Sequence, residues 1–240
     1  MTIDGGYVLD AHVRIGAGRE VELGVGALLA GMDSTGVDTA LISPAERYIA
    51  WDNDEGNELT TRAAAASGGR LLPYAVANPW RRDAIAVLRR AYDDGAVALA
   101  VDAVLQVFDL HDRLVDPLLD FAAECGWPVY VRTGTPPTAL PLPLASLARR
   151  HPAVTFIMGR SGATDFWIDA VPALCHAPNL LADTSYAPWD AVLSDFARHP
   201  DVGVDRVVFS TDLPYTIADA EIARVRDWPI PPAARARVFG

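Results

Sequence analysis

Seven ionisable residues stand at or just beyond the ends of short apolar runs. His12 and Arg14 follow Tyr7 to Leu9, and Asp102 follows Val97 to Val101. Arg132 follows Val129-Tyr130-Val131, and Arg160 follows Phe156-Ile157-Met158-Gly159. Asp183 closes Leu180-Leu181-Ala182, and Asp212 comes just after Arg206 to Ser210. Three arginines, three aspartates and a histidine are not a core-filling set, because such groups are rarely buried without partners. Two uses fit them. Either the aspartates neutralise the arginines in an internal salt-bridge network, or an anionic ligand does, and guanidinium–carboxylate geometry suits both. In the second use Asp212 is the first candidate for general base, since neighbouring arginines keep it ionised at neutral pH. His12 would polarise a carbonyl or shuttle a proton. Arg14, Arg132 and Arg160 would bind the anion, while Asp102 is either an acid/base or the counter-ion of Arg132. Ser161, next to Arg160, is a candidate substrate contact but has no suitably spaced base to make it a nucleophile.

These residues need a frame that brings run ends together. Eight apolar or β-branched runs recur: 7–12, 39–42, 72–76, 97–101, 129–132, 155–158, 180–183 and 206–210. Amphipathic segments lie between them, among them 57–66, 82–92, 115–125, 142–150, 167–174 and 190–198. Strand then helix, repeated eight times at about 30 residues each, predicts an α/β chain folded as a (β/α)8 TIM barrel of the usual size of about 250 residues. In such a barrel the carboxyl ends of all strands open into one mouth. A doubly wound open sheet is the rival, and no G-x-G-x-x-G follows the first run to support it. Gly36, Gly95, Gly126 and Gly203 sit where left-handed helix C-caps would turn the chain back into the barrel. The longest strand-to-helix connection, 43–56, carries Tyr48 and Trp51, which would either form a lid over a substrate or pack the loop down. Tyr186 and Tyr215, on later connections, are placed to line the mouth.

The composition narrows the partners. The chain has 240 residues, 51% of them hydrophobic, and a formal charge of −11. That is enough for one large core, so a single domain over 1–240 is expected, with no nucleic-acid or membrane partner; a homo-oligomer stays open. All 20 basic residues are arginine, which removes Schiff-base, P-loop and metal-bridging lysines. Cys125 and Cys175 match no zinc or disulfide spacing and read as buried free thiols. With no signal-peptide layout and no apolar span of membrane length, a cytoplasmic protein is expected.

Asp10-Ala11-His12-Val13-Arg14 resembles the D-x-H-x-H opening of the amidohydrolase superfamily, with Arg14 in place of the second histidine. The segments 36–43, 129–134, 157–162 and 210–214 resemble that family's later strand signatures. The likeness runs from about Asp4 to Phe239 and is closest to the branch of decarboxylases and lactonases. It implies that the usual metal ligands fall on His12, Arg14, Arg132 and Asp212. The family's catalytic histidine would fall on Arg160, and its strand-4 lysine and histidine on Ala100 and Asp102. A guanidinium stays protonated and cannot ligate a metal, and catalytic zinc takes about three protein ligands. The resemblance therefore implies a metal-independent site with no cofactor, in which arginines supply the positive charge. Metal-free lactonases of this kind, whose strand-8 aspartate activates water, make hydrolysis of a lactone or related acyl bond in a small carboxylated molecule the first reading. A carbon–carbon lyase, decarboxylase or cyclase comes next, and a non-catalytic ligand-binding or interaction protein is the alternative from another class. The family continues beyond the point matched by Gly240, so a barrel distorted or shortened at that end, or a missing segment, is expected.

Overall fold

The computed structural model describes residues 6–163, 165–187 and 190–240. Its strands are β1 (Leu9–Ala17), β2 (Glu22–Leu23), β3 (Thr39–Pro44), β4 (Leu71–Ala75), β5 (Ala98–Val101), β6 (Val129–Arg132), β7 (Phe156–Gly159), β8 (Leu180–Asp183) and β9 (Val207–Val208). They form one sheet in the order β2-β1-β3-β4-β5-β6-β7-β8-β9. Every pairing from β1–β3 to β8–β9 is parallel, and only the β1–β2 ribbon is antiparallel. The last segment returns to the first strand: Ala11 N donates to Phe209 O at 2.9 Å, Asp212 N to His12 O at 3.1 Å and Arg14 N to Leu213 O at 2.8 Å. These bonds close an eight-stranded parallel barrel, as the run pattern predicts. The seam is short, since β9 has only two residues. Individual backbone bonds continue the pairing where that strand ends.

The helices are α1 (Val25–Thr35), α2 (Glu46–Ala50), α3 (Asn53–Ala66), α4 (Ala84–Asp93), α5 (Asp116–Cys125), α6 (Pro141–Arg150), α7 (Ala170–His176), α8 (Asp190–Arg198), α9 (Ala218–Arg226) and α10 (Pro232–Phe239). In α4, Ala84, Val87, Leu88 and Ala91 are buried on one stripe while Arg89 and Arg90 face solvent, the 3.6-residue pattern of a helix lying on a sheet. Gly36 and Gly126 end α1 and α5 at φ 82° and 67°, the left-handed cap their positions predict. The connection 43–56 differs from expectation. It is mostly helical, because Asn53 donates from its side chain to the Tyr48 and Ile49 carbonyls and so caps α2.

Strand alternation divides the core in two. Outward residues such as Leu99, Val129, Val131 and Phe156 join the large apolar layer under the helices. Inward residues Leu41, Tyr74, Val76, Ala98, Ala100, Tyr130 and Ile157 fill the barrel itself. The alanines of β5 leave room for Tyr74 on β4 and Tyr130 on β6, whose ring centroids lie 6.0 Å apart. Gly159 is required beside them, since a Cβ there would sit 2.3 Å from the Tyr130 hydroxyl oxygen. No helix among the described residues is long and apolar enough to cross a membrane.

Candidate active site

The carboxyl ends of the strands bring the predicted residues together. A register shift in β1 between Asp10 and Val13 leaves Asp10, His12 and Arg14 all buried, but in different surroundings. His12 lies inside the barrel, stacked on Tyr130 at 3.8 Å between centroids with the rings 9° apart, and edge-on to Tyr74. Its Nδ1 is 3.2 Å from Asp212 Oδ1 and its Nε2 is 2.9 Å from Ser43 Oγ. Burial lowers the His12 pKa to about 4 against the pull of Asp212. Burial pushes Asp212 upward, but the His12 hydrogen bond and the Arg160 charge outweigh it and hold the carboxyl below its usual value. A neutral imidazole beside a carboxylate puts the proton on Nδ1, donating to Asp212, with Nε2 accepting from Ser43.

The arginines form a layer over this pair. Arg160 donates from Nε and Nη2 to Asp212 Oδ2 at 2.7 and 2.6 Å. Its guanidinium packs on the Tyr186 ring at 4.4 Å and the Tyr215 ring at 5.2 Å. Arg14 donates to Asp102 Oδ2 at 2.9 Å, and Arg132 reaches the same oxygen at 3.4 Å. Asp102 Oδ1 accepts from the Val104 and Leu105 amides. Burial works against ionisation of Asp102, yet the Arg14 and Arg132 charges prevail and keep its pKa below the ordinary value. Asp102 is thus a counter-ion to two arginines. Asp183 accepts from the Arg160 and Ser185 amides and the Tyr130 hydroxyl, and burial followed by the Asp212 charge pushes it well above the carboxylate range.

Above the guanidiniums lies a cavity of about 340 Å³ lined by Arg14, Arg132, Arg160 and Tyr215 on its floor side and by Arg19, Glu20, Glu46, Val104 and Leu105 around them. Neither His12 nor Asp212 lines it. The Nε atoms of Arg14 and Arg132 and the Oε2 of Glu46 are buried without a hydrogen-bond partner. The mouth is therefore both things the sequence left open: a paired Arg–Asp network and, over it, a cavity bordered by arginines.

Other predicted contacts fall elsewhere. Trp51 is exposed and lines a separate cleft with Asp52, Asp54, Glu55 and Arg81. Tyr48 packs its ring against the Arg47 guanidinium at 4.4 Å, and neither aromatic borders the arginine cavity. Ser161 donates its hydroxyl to the Asp183 carbonyl at 2.6 Å, so it ties two strand ends together. Tyr186 packs against the Arg160 guanidinium and does not line the cavity. Both cysteines are free but neither is buried: Cys125 is half-buried and Cys175 exposed, which corrects the expectation of buried thiols. Sequence reasoning missed Ser43, Tyr74 and Tyr130, which frame His12, although all three are inward or terminal positions on strands and obey the rule that found His12. Arg19, Glu20 and Glu46 were not legible, since they enter from the β1–β2 ribbon and the start of α2.

Asp10 sits behind the site. It accepts from the Thr211 amide at 2.9 Å, from the Thr211 hydroxyl and from the His12 amide. Burial nevertheless raises its pKa from 3.8 to about 7. The folded protein thus holds a proton that the unfolded chain has released, so this group's contribution is complete below pH 4 and is lost as pH rises to 7. In Asp10→Asn that loss is absent. The urea midpoint of the variant should gain on that of the wild type between pH 4 and 7, and a difference constant from pH 4 to 8 would refute the assignment.

A closed parallel barrel whose strand ends converge on a histidine, aspartates and arginines beneath a cavity defines a (β/α)8 enzyme. The family model for amidohydrolases matches residues 23–240, and the chain belongs to that family of enzymes. No curated protein sequence matches it. Among solved structures it is similar to a 5-carboxyvanillate decarboxylase from Novosphingobium aromaticivorans with bound manganese and 3-methoxy-4-hydroxy-5-nitrobenzoic acid, with 15% identity, a TM-score of 0.79 and coverage of 98% of this chain and 95% of that one. A 2,6-dihydroxybenzoate decarboxylase from Rhizobium gives 19%, 0.73, and 100% and 96%. A 4-oxalomesaconate hydratase from Rhodopseudomonas palustris gives 14%, 0.71, and 97% and 93%.

The Novosphingobium structure holds manganese, whereas the sequence leads to the expectation of a metal-independent site in this chain. The donors present in this chain are a different matter. His12 and Asp212 are the only family ligand positions that keep a metal-ligating side chain, their facing atoms are bonded to each other, and the second Asp212 oxygen carries the Arg160 guanidinium at 2.6 Å. The Arg160 and Arg14 charges act on the same pair, so these residues do not fit a divalent ion.

Proposed function

We propose that this amidohydrolase-family enzyme is a lyase acting on a small carboxylated, planar substrate, with decarboxylation as the leading reaction. The observation that carries the reading is the guanidinium floor of the cavity, which Arg14, Arg132 and Arg160 line together. Breaking a carbon–carbon or carbon–oxygen bond next to a conjugated system leaves an electron pair that delocalises onto a substrate oxygen. A fixed N–H donor at that oxygen stabilises the charge as it develops. Three guanidiniums on one side of the cavity suit an anionic group of the substrate and a developing oxyanion. Glu20 and Glu46 also line the cavity, and their carboxyls are the candidates to exchange a proton with substrate. Asp212, Asp102 and His12 act as positioning residues behind the arginines.

Lactone hydrolysis ranks second for a geometric reason. It needs Asp212 to activate water, and Asp212 is 1% exposed beneath a doubly bonded Arg160. The decarboxylases and the hydratase among the similar structures support the lyase order.

The test is a panel of hydroxylated benzoates and small unsaturated dicarboxylates, followed by substrate loss and carbon dioxide release, beside a panel of lactones. Turnover of a carboxylate with carbon dioxide release is expected, and Arg132→Met should lower kcat/KM about tenfold or more with the fold intact. Turnover of lactones alone would overturn the proposal.

A further inference from the structure

The end of α7 meets the connection between α8 and β9. Cys175, in the last turn of α7, faces His199, just past the end of α8, and Asp201 follows two residues later. The thiol, one ring nitrogen and one carboxylate oxygen all lie within 4.8 Å of one another, the only group of three or more such residues to do so among the described residues. We propose that Cys175, His199 and Asp201 form a surface site for a thiophilic divalent cation of the zinc type.

The three ligand atoms lie close enough together to share a tetrahedral ion once the imidazole turns. Zinc bonds of about 2.3 Å to sulfur and about 2.0–2.1 Å to nitrogen, opened to a tetrahedral angle, separate the two ligand atoms by about 3.6 Å. Cys175 Sγ is 3.6 Å from His199 Nδ1 and 3.9 Å from Nε2, so the sulfur lies over the ring face and the imidazole must turn to aim Nδ1 at a shared ion. The ligand types also agree. Thiolate and imidazole select zinc over magnesium or calcium, and thiolate plus aspartate balance two positive charges. Solvent supplies the fourth position at an exposed site.

The backbones that carry the ligands are held independently. Arg206 clamps the end of α7, donating to the carbonyls of Leu174 at 3.2 Å, Ala177 at 2.7 Å and Leu180 at 2.9 Å. On the other side His199 N bonds to Asp195 O at 3.1 Å and Gly203 N to Phe196 O at 3.1 Å, with Gly203 at φ 66° closing the turn. Binding needs only side-chain adjustment: the ion replaces the thiol–imidazole contact and the 3.3 Å bond from the Asp201 amide to Nδ1. The thiol proton leaves to solvent as the sulfur–metal bond forms, so affinity rises with pH. A bound ion would tie the α7–β8 and α8–β9 units together on the β8–β9 side of the barrel.

The experiment titrates the full chain, kept reduced, with cobalt and with zinc. One cobalt per chain is expected, with a sulfur-to-cobalt charge-transfer band that is lost in Cys175→Ser and in His199→Ala and kept in Cys125→Ser. Zinc at about a hundredfold over its dissociation constant should raise the Tm by up to about 5–10 °C in the wild type. The rise should vanish in Cys175→Ser, whose exposed position leaves folding intact. Failure to bind either ion, a charge-transfer band that persists in Cys175→Ser, or a zinc-dependent Tm that survives both substitutions would each overturn the proposal.

Discussion

Replacing Asp212 by alanine is expected to destabilise the protein by about 3–5 kcal/mol and to abolish turnover. The size follows from what the carboxylate holds. Arg160 gives it two N–H bonds at 2.7 and 2.6 Å and His12 a third at 3.2 Å, with Arg160 and His12 themselves buried. Removing one partner of a buried pair leaves a desolvated charge, which is far costlier than the net worth of the pair. Asp212→Asn separates charge from shape. Asp212 has φ 55°, a left-handed conformation that asparagine tolerates better than alanine, so the backbone is spared while the charge is lost. The amide variant should fall between wild type and alanine in urea unfolding, and both should lose activity because Arg160 is no longer aimed at the cavity. Stabilities of both variants within about 0.5 kcal/mol of wild type would mean that Arg160 does not depend on Asp212, and the layered site would be wrong.

The barrel was legible because its physics is local and repeated. A β-branched run such as Val129 to Arg132 cannot be much else when a helix pattern stands on either side, and α8 begins and ends at the predicted residues 190 and 198. The rule that strand ends share one mouth also placed Arg14, Asp102, Arg132, Arg160 and Asp212 correctly together. What it could not give was depth. Spacing says that His12 and Arg14 stand two residues apart on β1, but the register shift after Asp10 puts one under Tyr130 and the other against Asp102. Whether Asp212 touches water or lies beneath a guanidinium depends on the length of Arg160 and the tyrosines that support it, a three-body packing fact with no periodic signature. For the same reason the aromatic pair in 43–56 was visible as a pair but not as parts of two different surfaces. Glu46 was hidden by its place at the start of a five-residue helix that the sequence shows as loop.

Asp102 offers the cleaner division between a site and a plug. Its Oδ2 serves Arg14 at 2.9 Å and Arg132 at 3.4 Å, while its Oδ1 holds the Val104 and Leu105 amides at 3.2 and 3.1 Å. Asp102→Asn keeps the amide bonds, removes the charge and strands two guanidiniums, of which Arg14 is 5% exposed and Arg132 19%. Arg132 can recover part of its loss from water and Arg14 cannot, so a loss of about 3 kcal/mol, near the lower end for a broken buried pair, is expected in urea unfolding. Adding Arg14→Met and Arg132→Met then removes the stranded charges and fills their volume with flexible apolar side chains. Buried ion networks replaced in this way are often as stable as the original, so the triple variant should return to within about 1–2 kcal/mol of wild type. It should nevertheless bind a carboxylate at least about tenfold more weakly, because two of the guanidiniums that line the cavity are gone and Arg160 and Arg19 alone remain. Stability recovered while binding is weakened identifies charges kept for a ligand. If the triple variant unfolds as readily as Asp102→Asn, the arginines are needed for the fold itself, and the cavity above them is not a substrate site.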